Sequence, residues 1–265
     1  MTSNPLNEFL RQLAALVVAI IIVHAVYVTV IRPRANAIEA EQAARAAAGE
    51  TFAESRSPYV VLKDTEQEAC LVLMLWAFAI ITMKARRVLA ARRMLARDLV
   101  DVPPGTRVLP GDVRDYVRSL QALPDDDRES LIPRALLAGL NRFGVTRDVP
   151  SVSAAVHEVL EAEADRLDAE LSMVRYIVWA IPSIGFIGTV RGIGQALGQA
   201  HRAIEGDIAG VTSSLGVAFN STFVALVISI AVMFLMYQLQ LLQERLVLDA
   251  HAYCDSQLVQ HLAAQ

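Results

Sequence analysis

The sequence predicts an all-α, polytopic membrane protein with four transmembrane helices, the last two extended into a cytoplasmic helical region. Three observations carry this reading. Hydrophobic residues make up 54% of the 265 positions, mean hydropathy is +0.41, and the apolar residues are gathered into four long runs. Crossing the hydrocarbon takes roughly 20 mostly apolar residues, because about 30 Å are climbed at about 1.5 Å per residue. The runs are Leu13–Ile31, Ala69–Met83, Tyr176–Val190 with a weakly polar extension to about Ala200, and Val211–Leu242. The second run is short at 15 residues, and snorkelling by Lys84 or local thinning of the bilayer lets it span.

The first run is not read as a cleaved leader. Arg11 precedes it and Ala35-Asn36-Ala37 resembles a cleavage site, but the run is longer than an ordinary leader core, and Arg32 and Arg34 follow it. Orientation comes from charge. Lys84, Arg86, Arg87, Arg92, Arg93 and Arg97 follow the second run with no acid among them, and basic residues beside a span stay cytoplasmic. Arg32 and Arg34 oppose this locally and are outnumbered.

The resulting organisation is 1–31, N-terminal segment and first span; 32–68, periplasmic loop; 69–84, second span; and 85–173, cytoplasmic helical region. Then follow 174–200, third span; 201–210, short periplasmic loop; 211–242, fourth span; and 243–265, cytoplasmic C-terminal helix. This places both termini in the cytoplasm.

The outer loop carries an Ala-rich helix over Ala37–Ala48, broken by Ser55-Arg56-Ser57-Pro58. In the cytoplasmic region every periodic segment is helical: Arg86–Leu99, Pro110–Leu123 and Pro133–Phe143, separated by Pro103-Pro104-Gly105 and Asp125-Asp126-Asp127. After Val149-Pro150, Ser151 or Ser153 is the expected cap of a helix running without interruption into Tyr176.

No glycine loop that would cradle phosphate and no Ser/His/Asp grouping is present, so enzymatic chemistry is not expected. Cys70 and Cys254 build no disulfide or metal framework, and no cofactor is implied. His24, in the middle of the first span, is either a proton-relay group or a neutral helix contact. The charged residues of 85–173 lack the interleaved aromatics of a nucleic-acid surface and read as a solvated face beside anionic lipid. No nucleic-acid partner is expected.

The third and fourth spans carry the informative pattern. Gly185, Gly188 and Gly192 recur at helical spacing on one face, with Thr189 beside them and Pro182 preceding them. The fourth span repeats the device with Ser214, Ala218, Ser221 and Thr222, Ala225 and Ser229. Small residues let helices approach closely in lipid, where burying apolar surface gives no drive. Thr189, Asn220, Ser221 and Thr222 also bring hydroxyls and an amide to mid-membrane, where such groups can hold water or pass a proton. Ion conduction and pure packing both fit these residues.

The run Pro182-x-x-Gly185-x-x-Gly188-Thr189-Val190-x-Gly192-Ile193, with Ser221-Thr222 and Val224-Ala225-Leu226 in the next span, resembles the MotA/TolQ/ExbB proton-channel family over about residues 150–250. The resemblance implies a homopentamer in the bacterial inner membrane. The pentamer would surround a dimer of single-span partners of the MotB/TolR/ExbD type, each with a transmembrane Asp. It implies that Thr189 and Thr222, with Asn220 and Ser221, face the ion pathway, while Pro182, Gly185, Gly188, Gly192, Ala218 and Ala225 serve packing and bending. Proton motive force would drive mechanical work or energised transport; the ion is H+, with Na+ the other option.

Three departures stand out. The intramembrane glutamate of the TolQ/ExbB branch is replaced by Val217, the outer loop of 37 residues is long, and Arg191 stands where an apolar residue is common. Arg191 either snorkels to headgroups or contacts an acid of the partner. The competing reading is a structural membrane scaffold packed through its Gly/Ser faces without conduction.

Overall fold

The computed structural model describes residues 5–48, 57–100, 102, 106–204 and 208–263. The expected breaks at Pro103-Pro104-Gly105 and at Ser55-Arg56 lie outside the described residues. Helices account for nearly all of the described residues: α1 (Pro5–Val26), a π-helical turn (Tyr27–Ile31), α2 (Arg32–Ala47), α3 (Pro58–Leu62), α4 (Thr65–Met94), α5 (Val113–Gln121), α6 (Asp125–Arg128), α7 (Leu131–Thr146), α8 (Val149–Ala169), α9 (Ser172–Gly198), α10 (Ala200–Ile204) and α11 (Ala209–Gln257). No strand occurs among the described residues; one isolated bridge pairs Val108 with Leu262. Four helical stretches are long and apolar enough to cross a membrane: Leu6–Gln42, Thr65–Met94, Val149–Gly198 and Ala209–His261. The all-α, four-span architecture expected from composition is therefore present.

Helix boundaries differ from the sequence reading in instructive places. The helix that carries the first span does not end at Ile31. It widens into the π-helical turn and continues through Ala47, with the Arg32 N–H bonded back to the Tyr27 carbonyl. Pro33 has no N–H to give the carbonyl four residues earlier, and a π turn re-aims the backbone groups just before it. The basic segment after Met83 likewise continues the span helix, to Met94. The long helix expected to run unbroken into Tyr176 is divided at Glu170 and Leu171, where the N–H of Leu171 turns back to Asp168 at 3.0 Å. Its cap is Asp148, whose carboxylate accepts from the N–H of Ser151 at 3.0 Å.

The chain divides into two compact units, one of Leu6–Ile81 with Met173–Met236, the other of Thr82–Ser172 with Tyr237–Gln265 and Met1–Pro5. In the second unit, the amphipathic faces of α7 and α8 bury Leu136, Leu140 and Phe143 against Val152, Val156 and Leu160. The end of the chain is tied in by main-chain bonds from Val108 N–H to the His261 carbonyl at 2.8 Å and from Ala263 N–H to the Val108 carbonyl at 3.2 Å. Tyr253 adds a clamp, its hydroxyl donating to the Arg97 carbonyl at 2.7 Å and accepting from the Leu99 N–H at 3.0 Å. Lys84 is 4% exposed, and its ammonium donates to Glu170 at 2.8 Å, the pairing a nearly buried charge requires.

The membrane unit is organised around the first turn of α4. Glu66, Gln67 and Glu68 are successive residues, so their side chains leave the helix about 100° apart. Each meets a different helix. Glu66 pairs with Arg191 of α9 at 2.8 Å. Gln67 donates to Ser221 of α11 at 3.3 Å. Glu68 accepts from Arg32 at 2.6 Å and meets His24 Nδ1 at 2.7 Å.

Candidate functional site

The site forms where α9 and α11 pack face to face. A Cβ placed on Gly188 would lie 2.6 Å from Ser221 Oγ, and one on Gly192 would lie 2.7 Å from the Ala218 Cβ and 2.8 Å from the Ala218 backbone nitrogen. Gly185 meets Ala225 still more closely. Only hydrogen fits at these points, so Gly185, Gly188 and Gly192 of α9 and Ala218 and Ala225 of α11 form one tight seam, with backbones near enough for side chains of one helix to reach carbonyls of the other.

Pro182 sits inside α9 and, lacking an N–H, leaves the carbonyl of Val178 without its helical donor. That carbonyl is taken by the Ser229 hydroxyl of α11 at 3.1 Å. A helix-breaking residue is thus stitched to its neighbour by a hydroxyl, as the hydrocarbon demands. Cys70 of α4 reaches the adjacent Ile181 carbonyl, Sγ to O at 3.7 Å.

Thr189 and Thr222 meet on this seam. Thr189 Oγ1 is within bonding distance of the Ala218 carbonyl at 3.1 Å and, more weakly, of its own Gly185 carbonyl at 3.4 Å. Thr222 Oγ1 reaches the Gly185 carbonyl at 3.1 Å, and the two hydroxyls bond each other. A threonine in a membrane helix usually bonds back to the carbonyl four residues before it. Here each hydroxyl crosses to the carbonyl that belongs to the other threonine. Two hydroxyl protons are shared among two carbonyls and the hydroxyls themselves, so the bonding direction can reverse without either oxygen losing all its partners.

Of the remaining predicted residues, Ser221 is buried beside Thr222, donating to the Val217 carbonyl at 2.9 Å while accepting from Gln67. Asn220 is not brought into the hydroxyl cluster; it lines a separate groove with Lys63, Val60, Gly216 and Phe223. Arg191 reaches acids of its own chain, Glu66 at 2.8 Å and Asp64 at 3.6 Å. His24 contacts Glu68. Asp64, Glu66, Gln67 and Glu68 were not singled out by sequence. Their signal was present as a polar turn, Asp64-Thr65-Glu66-Gln67-Glu68, running directly into an apolar span. No group of three or more His, Cys, Asp or Glu residues is arranged to hold a metal among the described residues.

Large apolar side chains remain exposed along both helices, among them Phe186, Ile187 and Val190 on α9 and Phe219, Phe223 and Ile230 on α11. Helices with tightly packed inner seams and apolar outer faces define an integral membrane protein whose polar groups are gathered at helix contacts. The sequence model of the MotA/TolQ/ExbB proton channel family matches residues 127–251. That segment, which holds Pro182, the glycine seam and both threonines, is similar to the MotA/TolQ/ExbB proton channel family. No curated protein and no solved structure matches the chain.

Proposed function

We propose that this protein is the channel-forming subunit of an ion-driven motor that converts proton motive force into mechanical work or energised transport across the cell envelope. The observation that supports it best is the crossed hydroxyl pair of Thr189 and Thr222, set in the glycine seam of the matched segment. A carboxylate in hydrocarbon needs polar neighbours while ionised and a route for its proton. Two hydroxyls provide both without adding a fixed charge. In this reading the acid crossing the bilayer is the transmembrane Asp of a single-span partner of the MotB/TolR/ExbD type, whose dimer sits inside a pentamer of this chain. The six basic residues from Lys84 to Arg97 support reading it as an inner-membrane protein with both termini in the cytoplasm.

The test is proton flux into vesicles holding the chain and a single-span partner of the MotB/TolR/ExbD type. Thr222→Val and Thr189→Val preserve shape and remove the hydroxyls. The expected result is at least a tenfold loss of flux with assembly intact; full flux in both variants overturns the pathway assignment. The scaffold reading draws on the closeness of the Gly192–Ala218 contact and expects no flux even from the unmodified pair. Replacing the gradient with Na+ in the same vesicles decides between the ions.

A further inference from the structure

At the start of α4, two acids converge on one base. Arg191 Nη2 lies 2.8 Å from Glu66 Oε2 and 3.6 Å from Asp64 Oδ1. The carboxylate side chains are 10% and 17% exposed. With all three groups ionised, this poorly hydrated cluster carries a net negative charge. Carboxylates that share a site and a single counter-charge do not ionise independently, and uptake of one proton balances the cluster.

The surroundings do not supply a second free cation among the described residues. From the segment before α4 comes Lys63, already bonded to Glu39 of α2. From α4 itself come Thr65, whose hydroxyl is 3.3 Å from Glu66, and the neutral Gln67 and Cys70. Glu68 is engaged by Arg32 and His24. From α9 comes Arg191, and from α11 the uncharged Ser221. Burial holds the Asp64 carboxyl above its ordinary value, against the lowering effect of Lys63 and Arg191.

This cluster borders the glycine seam. The point where a Cβ of residue 188 would stand is 3.2 Å from Glu66 Cγ and 2.6 Å from Ser221 Oγ, and these two helix positions immediately precede Thr189 and Thr222. We infer that Asp64, Glu66 and Arg191 form a proton-exchange site in which two carboxylates over one guanidinium hold a single exchangeable proton beside the threonine pair. The inference rests on the reading that those threonines border an ion path. Asp64, the more exposed acid, exchanges with water; Glu66, the more buried, packs its Cγ against the Gly188 position. Arg191 keeps one carboxylate ionised and ready to accept, which an isolated acid in hydrocarbon would not be. Only O–H bonds form and break: one proton binds a carboxylate of the cluster and one proton leaves it, the other carboxylate staying paired with Arg191.

The experiment is infrared titration of the full chain in lipid vesicles, acidified from about pH 8 to about pH 5, a window reaching into the upper range of measured carboxylate values. A protonated-carboxyl component titrating above the exposed acids is expected in the unmodified chain. It disappears in Asp64→Asn and moves to lower pH in Glu66→Gln, where Asp64 keeps its burial and loses the repulsion of Glu66. No band in the unmodified chain, or the same band in both variants, overturns the site. Proton flux with the single-span partner should also fall at least tenfold in both variants; a normal flux there removes the site from the path. The infrared band needs no flux, so a chain that conducts nothing overturns the channel reading while the band still decides the exchange site.

Discussion

Thr189 and Thr222 exchange carbonyls: Thr189 reaches the Ala218 carbonyl at 3.1 Å, four residues before Thr222, and Thr222 reaches the Gly185 carbonyl at 3.1 Å, four residues before Thr189. The swap follows from the seam, since Gly185 and Ala225 bring the backbones too close for either side chain to be confined to its own helix. It makes the two residues energetically interdependent. In a double-mutant cycle with Thr189→Val and Thr222→Val, the coupling should be about 1 kcal/mol, toward the upper part of the range for intramembrane hydrogen bonds. Unfolding of the purified chain in detergent measures it. Strictly additive losses would mean that each hydroxyl is served by its own helix.

The glycines of α9 are not equivalent. A Cβ at Gly192 would meet the Ala218 nitrogen and the Ser214 carbonyl oxygen, both at 2.8 Å, and backbone atoms inside a helix cannot step aside. At Gly194 nothing lies within 4 Å. Gly192→Ala should therefore destabilise the chain by about 2 kcal/mol through overpacking. Gly194→Ala should be neutral or stabilise by up to about 1 kcal/mol, because alanine is the better helix former. Thermal unfolding of both variants checks the order, and a Gly192→Ala protein as stable as its parent refutes the seam.

These contrasts mark what sequence could reveal. Gly185, Gly188, Gly192, Thr189 and Thr222 were legible because helical spacing alone puts them on narrow faces of adjacent spans. Asp64 and Glu66 were not, because their importance arises from a contact with Arg191 more than 120 positions away in the chain, and periodicity carries no information about which helices are neighbours. Arg191 read as a charge in search of headgroups or a foreign acid for the same reason. Asn220 shows the converse limit of sequence proximity. It stands next to Ser221 and Thr222 in sequence, but each residue turns the side chain by about 100°, which carries Asn220 off the seam and into a groove beside Lys63. The extension of the first helix through Pro33 was hidden because a proline in sequence marks an end, whereas a π turn before it lets the helix continue.

Gln67 supplies a prediction whose sign is unusual. It is fully buried, its amide nitrogen makes a long bond of 3.3 Å to Ser221, and its Oε1 has no partner among the described residues. A buried amide oxygen without a donor costs about 1–3 kcal/mol, whereas a neutral hydrogen bond returns only about 1 kcal/mol. Ser221 does not depend on Gln67, since its own hydroxyl donates to the Val217 carbonyl at 2.9 Å. Gln67→Leu, close in volume, removes the orphaned oxygen and keeps the contact between α4 and α11. The variant should be as stable as the parent or more stable by about 1 kcal/mol, whereas Gln67→Ala should lose about 2 kcal/mol by opening a cavity. Parallel denaturation of the two variants in detergent decides the matter. If leucine destabilises as much as alanine does, the Gln67 amide is fully bonded and holds α11 in place by polarity rather than by volume.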